Sequence, residues 1–147
     1  MTGTVRAIWI KRAHRGSMDS VDHASFISGK GIAGSADRSR RRQVTIIDES
    51  AWNRALAELG ATVPASARRA NLMVAGLDLA NSRGRTLLVG NVRLVIGGET
   101  RPCERMEEAR AGLQGALDPE WRAGVFAQVL DDGDVRVGDD VRWADAA

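Results

Sequence analysis

Residues 87–96 read Leu87-Leu88-Val89-Gly90-Asn91-Val92-Arg93-Leu94-Val95-Ile96, and this stretch decides the fold class. Two apolar runs flank the pair Gly90-Asn91. A two-residue loop of this composition is typical of a tight β-hairpin, because both residues tolerate the left-handed backbone that such turns need. We therefore predict two antiparallel strands here, ended by the Gly97-Gly98 pair.

Short apolar runs of the same kind recur along the rest of the chain and predict further strands. We expect the polar and basic residues 11–20 to form a loop. The predicted strands are 5–10, 44–47, 71–74, 87–89, 92–96 and 124–130, followed by a turn at Asp132-Gly133 into short strands around Val135 and Val141.

Two segments have helical rather than strand periodicity. Apolar residues spaced i, i+3, i+4 and i+7 predict a helix that Asp48 or Ser50 can cap and Gly60 can end. Residues 106–117 predict a weaker helix, interrupted by Gly112 and Gly115. The apolar positions of the first helix are Trp52, Ala55, Leu56 and Leu59.

Strands outnumber helices in this pattern, and the hairpins are local. This favours a mainly β (α+β) fold, an antiparallel barrel-like sheet of about seven strands with two peripheral helices. The 147 residues show no repeat or linker, so we expect residues 1–147 to form a single domain.

Composition argues against several classes of partner. The net charge is only +2, and four Trp, two Phe and no Tyr supply few stacking surfaces, so we expect no nucleic-acid partner. No apolar run approaches the roughly 20 residues that span a bilayer, so we expect no membrane association. A single cysteine forms no intramolecular disulfide, which makes the cytoplasm the expected location.

That cysteine, Cys103, lies between Arg101 and Arg105 where a strand gives way to a helix. Nearby cations and a helix N-terminus favour a thiolate, which can act as a nucleophile, a sulfur carrier or a soft-metal ligand. The alternative is a buried cysteine that packs as a small hydrophobe.

Other polar groups suggest ligand contacts. The run Arg40-Arg41-Arg42 is either a solvated loop or an anion clamp, with Arg42 the best candidate because it adjoins a strand. Asn71 either binds a heterocycle edge or satisfies a turn. The spacing of His14 and His23 argues against a zinc site.

The glycines Gly29, Gly31 and Gly34 match Gly-x-Gly-x-x-Gly, but an arginine run and a strand follow them. A dinucleotide site requires a helix there, so we expect instead a flexible loop at a pocket mouth.

The order of these segments resembles the MOSC domain, the module found at the C-terminus of molybdenum-cofactor sulfurases and as stand-alone bacterial proteins. The resemblance covers roughly residues 29–143. Its motifs are Gly-Ile-Ala-Gly at 31–34, Arg-Gln-Val-Thr-Ile-Ile at 42–47, the segment 69–79 ending in Gly-Leu-Asp-Leu, Gly-Asn-Val at 90–92, Pro102-Cys103, and the closing strands 124–130 and 133–141.

The resemblance implies a barrel-like domain associated with molybdopterin, the pterin molybdenum cofactor, or with another small anionic ligand. It implies that Cys103 is the functional residue, as sulfur carrier or molybdenum ligand. Arg42, Arg69, Asn71 and Arg101 would hold the pterin and phosphate.

Four clustered cysteines are absent, so an iron–sulfur cluster of its own is excluded, and a separate protein would donate electrons or sulfur. Two alternatives remain open: a reductase of N-hydroxylated compounds, and a non-catalytic β-barrel binding module with a structural Cys103. The chain also departs from the family pattern, in which Asp and a nearby His often follow the early glycine motif. Here Gly34 is followed by Ser35-Ala36-Asp37.

Overall fold

The computed structural model describes residues 2–36 and 38–144, and within them the chain is mainly β. The α-helices are α1 (Glu49–Leu59), α2 (Glu104–Ala109) and α3 (Leu113–Leu117), with 3₁₀ segments at Ala65–Arg68 and Pro119–Trp121. The strands are β1 (Gly3–Lys11), β2 (Met18–Val21), β3 (His23–Ile27), β4 (Gly31–Ile32), β5 (Val44–Asp48), β6 (Leu72–Ala75), β7 (Thr86–Val89), β8 (Val92–Glu99), β9 (Val125–Val129), β10 (Gly133–Arg136) and β11 (Asp140–Trp143).

Seven of these strands close into a barrel. Their order is β11-β7-β8-β9-β5-β6-β1, and β1 pairs with β11 to complete the ring. The predicted β7–β8 hairpin is confirmed, with Val89 opposite Val92 across Gly90-Asn91. The Gly97-Gly98 pair does not end β8 but lies within it, at an irregularity in its pairing with β9. Alternate apolar side chains of the strands fill the barrel interior.

The expectation of a purely antiparallel sheet is wrong at one pair of strands. β5 and β6 run parallel, with Ile46 opposite Leu72. Parallel neighbours need a crossover of a dozen or more residues, and α1 with the following 3₁₀ segment supplies it. The barrel is therefore a mixed sheet.

The polar segment before Gly31 contains strands that we did not expect. Residues 11–20 are not all loop, because β1 extends to Lys11 and β2 begins at Met18 and pairs with β1. A second sheet, in the order β10-β3-β4, lies beside the barrel. The strands β2 and β3 are only four and five residues long, so their periodicity is a weak signal in the sequence.

The helices form a small second core beside the barrel. α1 begins as predicted, with the Asp48 side chain accepting from the Ser50 backbone, and ends at Gly60 in the left-handed region. The predicted second helix is two short helices, separated at Gly112 with φ 90°. Side chains from all three helices, including Met106, make up this second core. None of the described helices is long and apolar enough to cross a membrane.

Candidate functional site

A cavity of about 350 Å³ lies where the barrel meets the helices. The β1–β2 connection, β5, the residues before β6 and the β8–α2 connection all contribute to its wall. All five residues that the sequence proposed for a site line it, although they come from distant segments. They are Arg42, Arg69, Asn71, Arg101 and Cys103.

The cavity wall is strongly cationic. Eight lining residues are Lys or Arg, and no Asp or Glu lines the cavity among residues 2–36 and 38–144. Such a wall attracts anions, and arginine in particular binds phosphate or carboxylate through a planar fork. Five of these cations were not expected at a site from the sequence: Lys11, Arg15, Arg38, Arg68 and Arg105.

Cys103 is exposed and lies at the N-terminal end of α2, in an extended conformation. Its backbone N–H donates to Sδ of Met106 at 3.3 Å, and its Sγ lies 3.8 Å from that sulfur. Met106 is itself buried in the helical core, so the core fixes the cysteine's position. The alternative of a buried packing cysteine does not agree with this exposure.

Arg42 is oriented by an aromatic ring. Its guanidinium carbon lies 4.9 Å from the centre of the Phe126 ring, which is within cation–π range. The ring in turn packs on Gly97, where a Cβ atom would lie only 2.5 Å from Phe126 Cε2. The glycine pair inside β8 therefore leaves the space that the Phe126 ring occupies, and this ring contacts the Arg42 guanidinium.

Asn71 ties three parts of the wall together. Its side-chain oxygen accepts from the Thr45 backbone at 3.0 Å, and its side-chain nitrogen donates to the Trp9 carbonyl and to Ser35 Oγ, both at 3.3 Å. Both ends of the amide are thus used within the protein. This favours a role in holding the wall over direct reading of a ligand edge.

Arg68 is the most buried charge of the wall, with 7% of its surface exposed. Its Nε donates to the Ala123 carbonyl at 2.7 Å, and its Nη2 donates to Thr100 Oγ1 at 2.7 Å. Burial lowers the pKa of Arg68 to about 10; a smaller effect of Cys103 opposes this and one of Arg42 adds to it. Arg68 therefore stays charged at neutral pH.

Arg69, the next residue, makes different contacts from those of Arg68. Its backbone lies in the left-handed region at φ 63°, which is uncommon outside glycine. Its Nη2 donates to the Gly16 carbonyl at 2.6 Å, which links the wall to the β1–β2 connection. One backbone turn thus sends two adjacent arginines to different parts of the same cavity.

Arg101 is on the exposed rim, with 68% of its side chain accessible. It pairs with Asp118 at 2.8 Å and lies 3.9 Å from Glu99. Its charge is therefore already partly neutralised, and it contributes less field to the cavity than Arg68 does.

The residues after Gly34, where the chain departs from the family's Asp and His pattern, have defined positions in part. Ser35 is buried, and its hydroxyl accepts from the Lys11 backbone and from Asn71, each at 3.3 Å. Asp37 lies outside the described residues. An imidazole nevertheless lines the cavity, because the β1–β2 connection supplies His14. No signal of spacing could have paired His14 with Cys103, since they are far apart in sequence.

The barrel agrees with comparisons to known proteins. The family model for the MOSC domain matches residues 15–142. The chain belongs to the MOSC domain family. No protein in a search of curated proteins matches it.

Solved structures share the MOSC fold of this chain. The YUAD protein from Bacillus subtilis is 21% identical, with a TM-score of 0.81 over 96% of this chain and 94% of that one. YiiM from Geobacillus stearothermophilus is 14% identical, with a TM-score of 0.75 over 97% and 75% of the two chains. YiiM from Escherichia coli is 14% identical, with a TM-score of 0.71 over 98% and 71%. At these identities the likeness concerns the fold alone.

MOSC domains are generally associated with the molybdenum cofactor, so the fit of this cavity to such a group can be tested. An anionic cofactor suits a wall of eight cations without described carboxylates. The described residues contain no group of three or more His, Cys, Asp or Glu that could enclose a metal ion. The donor set therefore fits a metal that brings its own ligands and takes one thiolate from Cys103.

Proposed function

We propose that the protein binds the pterin molybdenum cofactor or a closely related anionic ligand and uses Cys103 as sulfur carrier or molybdenum ligand. The observation that carries the proposal is the meeting of one exposed thiol and eight cationic side chains in a single cavity. When bound, the cofactor would supply a redox-active metal that a sulfur atom can ligate.

The residues of the cavity wall would have different roles in binding the cofactor. Arg42 and Arg69 would bind the phosphate, because both line the cavity and arginine binds phosphate through a two-pronged hydrogen bond. Arg101 would add charge at the rim. Asn71 would keep the strands of the wall in register rather than bind the pterin, since its amide is occupied.

Cys103 would hold the sulfur or the metal. Its backbone is fixed through Met106, so its sulfur occupies a defined position at the cavity rather than a mobile tail. A separate protein would deliver sulfur or electrons, and we place the exchange in the cytoplasm. A reductase of N-hydroxylated compounds would use the same thiol, and no observation favours it over sulfur carriage.

The test is composition of the protein as isolated from a host that makes the cofactor. We expect molybdenum and pterin in the wild type, or one additional sulfur atom on Cys103 by intact mass. Cys103→Ser should lose the extra sulfur, and Arg42→Met should lower the pterin content.

Arg93→Met is the matched control, because Arg93 is an exposed arginine paired with Asp131 and does not line the cavity. Its pterin content should equal that of the wild type. Absence of metal, pterin and added sulfur from the wild type would refute the proposal.

A further inference from the structure

Among the described residues, Arg68 has no carboxylate as counter-ion, and the acceptors of its Nε and Nη2 are both neutral. Its third nitrogen, Nη1, has no acceptor in the described part of the chain, and the Arg68 side chain lines the cavity. A desolvated cation of this kind is stabilised by an anion that enters the cavity.

An anion bound to Arg68 would also lie close to Cys103. Thr100, which accepts from Arg68, precedes the cysteine by three residues, and all three side chains line the same cavity. The guanidinium of Arg68 and the thiol of Cys103 therefore line one cavity, where an anion can meet both.

We propose that Cys103 takes sulfur directly from a small anionic sulfane-sulfur donor of the thiosulfate class, with Arg68 holding the sulfonate group. The inference rests on the proposed sulfur-carrier role and replaces the sulfur-donor protein with a small molecule. An uncharged donor would leave the buried guanidinium without its partner.

The step balances without an external oxidant or reductant. The Cys103 thiolate attacks the outer sulfur of thiosulfate, and a new S–S bond forms between them. The S–S bond of thiosulfate breaks, and its electron pair leaves with sulfite. Arg68 stabilises the charge on the departing sulfite, and Cys103 is left as a persulfide anion.

The experiment incubates the purified protein with sodium thiosulfate and measures intact mass and released sulfite. Because the chain has a single cysteine, any added sulfur is assigned without ambiguity. We expect one added sulfur per chain, one equivalent of sulfite, and transfer to cyanide as thiocyanate.

Replacing Arg68 should slow loading. Arg68→Met should reduce the rate about 10- to 100-fold, as expected for loss of charge-assisted hydrogen bonds, and Arg68→Lys should fall between it and the wild type. The matched control is Arg122→Met, since Arg122 is equally buried but does not line the cavity. It should load at the wild-type rate.

A second measurement needs no variant. Sulfate should compete with thiosulfate in the wild type, whereas uncharged dimethyl sulfone and chloride at equal ionic strength should not. No loading of the wild type, or equal inhibition by sulfate and dimethyl sulfone, would overturn the inference. Either result can coexist with molybdenum, pterin or persulfide in the isolated protein, so it is distinct from failure of the proposed function.

Discussion

Arg68 and Arg122 are two arginines buried to nearly the same degree, 7% and 5% exposed, in very different electrostatic surroundings. Arg122 donates to Glu58 at 2.6 Å and to Glu120 at 3.1 Å, and only its Nε lacks an acceptor among the described residues. Arg68 has neutral acceptors and pairs with no carboxylate among the described residues. The charge of Arg122 is thus balanced by two carboxylates, whereas the described part of the chain supplies none to Arg68.

The pKa values of the two residues move in opposite directions for this reason. Hydrogen bonding to Glu58 raises the pKa of Arg122, whereas burial lowers that of Arg68. Burial of an arginine therefore does not by itself identify a site. What distinguishes Arg68 is that it lines a cavity and has no carboxylate partner among the described residues.

The largest effect on stability should come from Arg122→Met. The variant loses its charge-assisted hydrogen bonds to Glu58 and Glu120, so the free energy of unfolding should fall by about 2–3 kcal/mol. Urea denaturation at pH 7 measures this. An unfolding free energy equal to that of the wild type would show that the pairing does not support the fold.

Arg68→Met should cost less, about 1 kcal/mol in sulfate-free buffer, because lost hydrogen bonds are offset by removal of a desolvated charge. The Ala123 carbonyl keeps a donor, since Thr100 Oγ1 also donates to it at 2.9 Å. Thermal unfolding with added sulfate should then separate the two residues. Sulfate should raise the melting temperature of the wild type and of Arg122→Met more than that of Arg68→Met.

The pH dependence of stability should show the pairing of Arg122 with Glu58. The hydrogen bond from Arg122 lowers the pKa of Glu58 below its ordinary value of 4.5. This pair therefore stabilises the fold above pH 4.5 and is lost as the pH falls through the lower, folded-state pKa. Stability of the wild type should decline more steeply below pH 4.5 than that of Glu58→Gln, and parallel curves would contradict the assignment.

The smallest effect should come from Arg101→Met on the cavity rim. Arg101 is well exposed and paired with Asp118, so the free energy of unfolding should change by less than about 0.5 kcal/mol. Sulfate affinity, measured by calorimetry, should fall less than in Arg68→Met. An equal or larger fall in sulfate affinity would contradict Arg68 as the main anion contact and would assign that role to Arg101 on the rim.

Much of the barrel could be predicted because its signals are local. The Gly90-Asn91 turn and the capping of α1 by Asp48 each depend on a few consecutive residues. The parallel pairing of β5 with β6 depends instead on where a crossover returns, which short-range patterns do not specify. The strands β2 and β3 are only four and five residues long, which is too short for a clear periodic signal.

The site was predictable in part. Cys103 and the proposed arginines came from sequence motifs, and the structure brings them to one cavity. Arg68 belongs to a polar cluster with Arg69 and Asn71 in the sequence, but it was not proposed as a site residue, because arginine is rarely buried. The left-handed backbone of Arg69, which separates the two arginines, is also not evident from the sequence. His14 lines the cavity because of how the chain folds, and no local sequence pattern indicated this position.

The most direct test of the central claim is alkylation of Cys103 by iodoacetamide during a titration with sulfate. An anion held by Arg68 should lie over the thiol, so sulfate should slow alkylation of the wild type and of Arg122→Met in a saturable manner. Arg68→Met should be alkylated at a rate that sulfate does not change. Alkylation of the wild type that is indifferent to sulfate would contradict a shared site for the anion and the thiol.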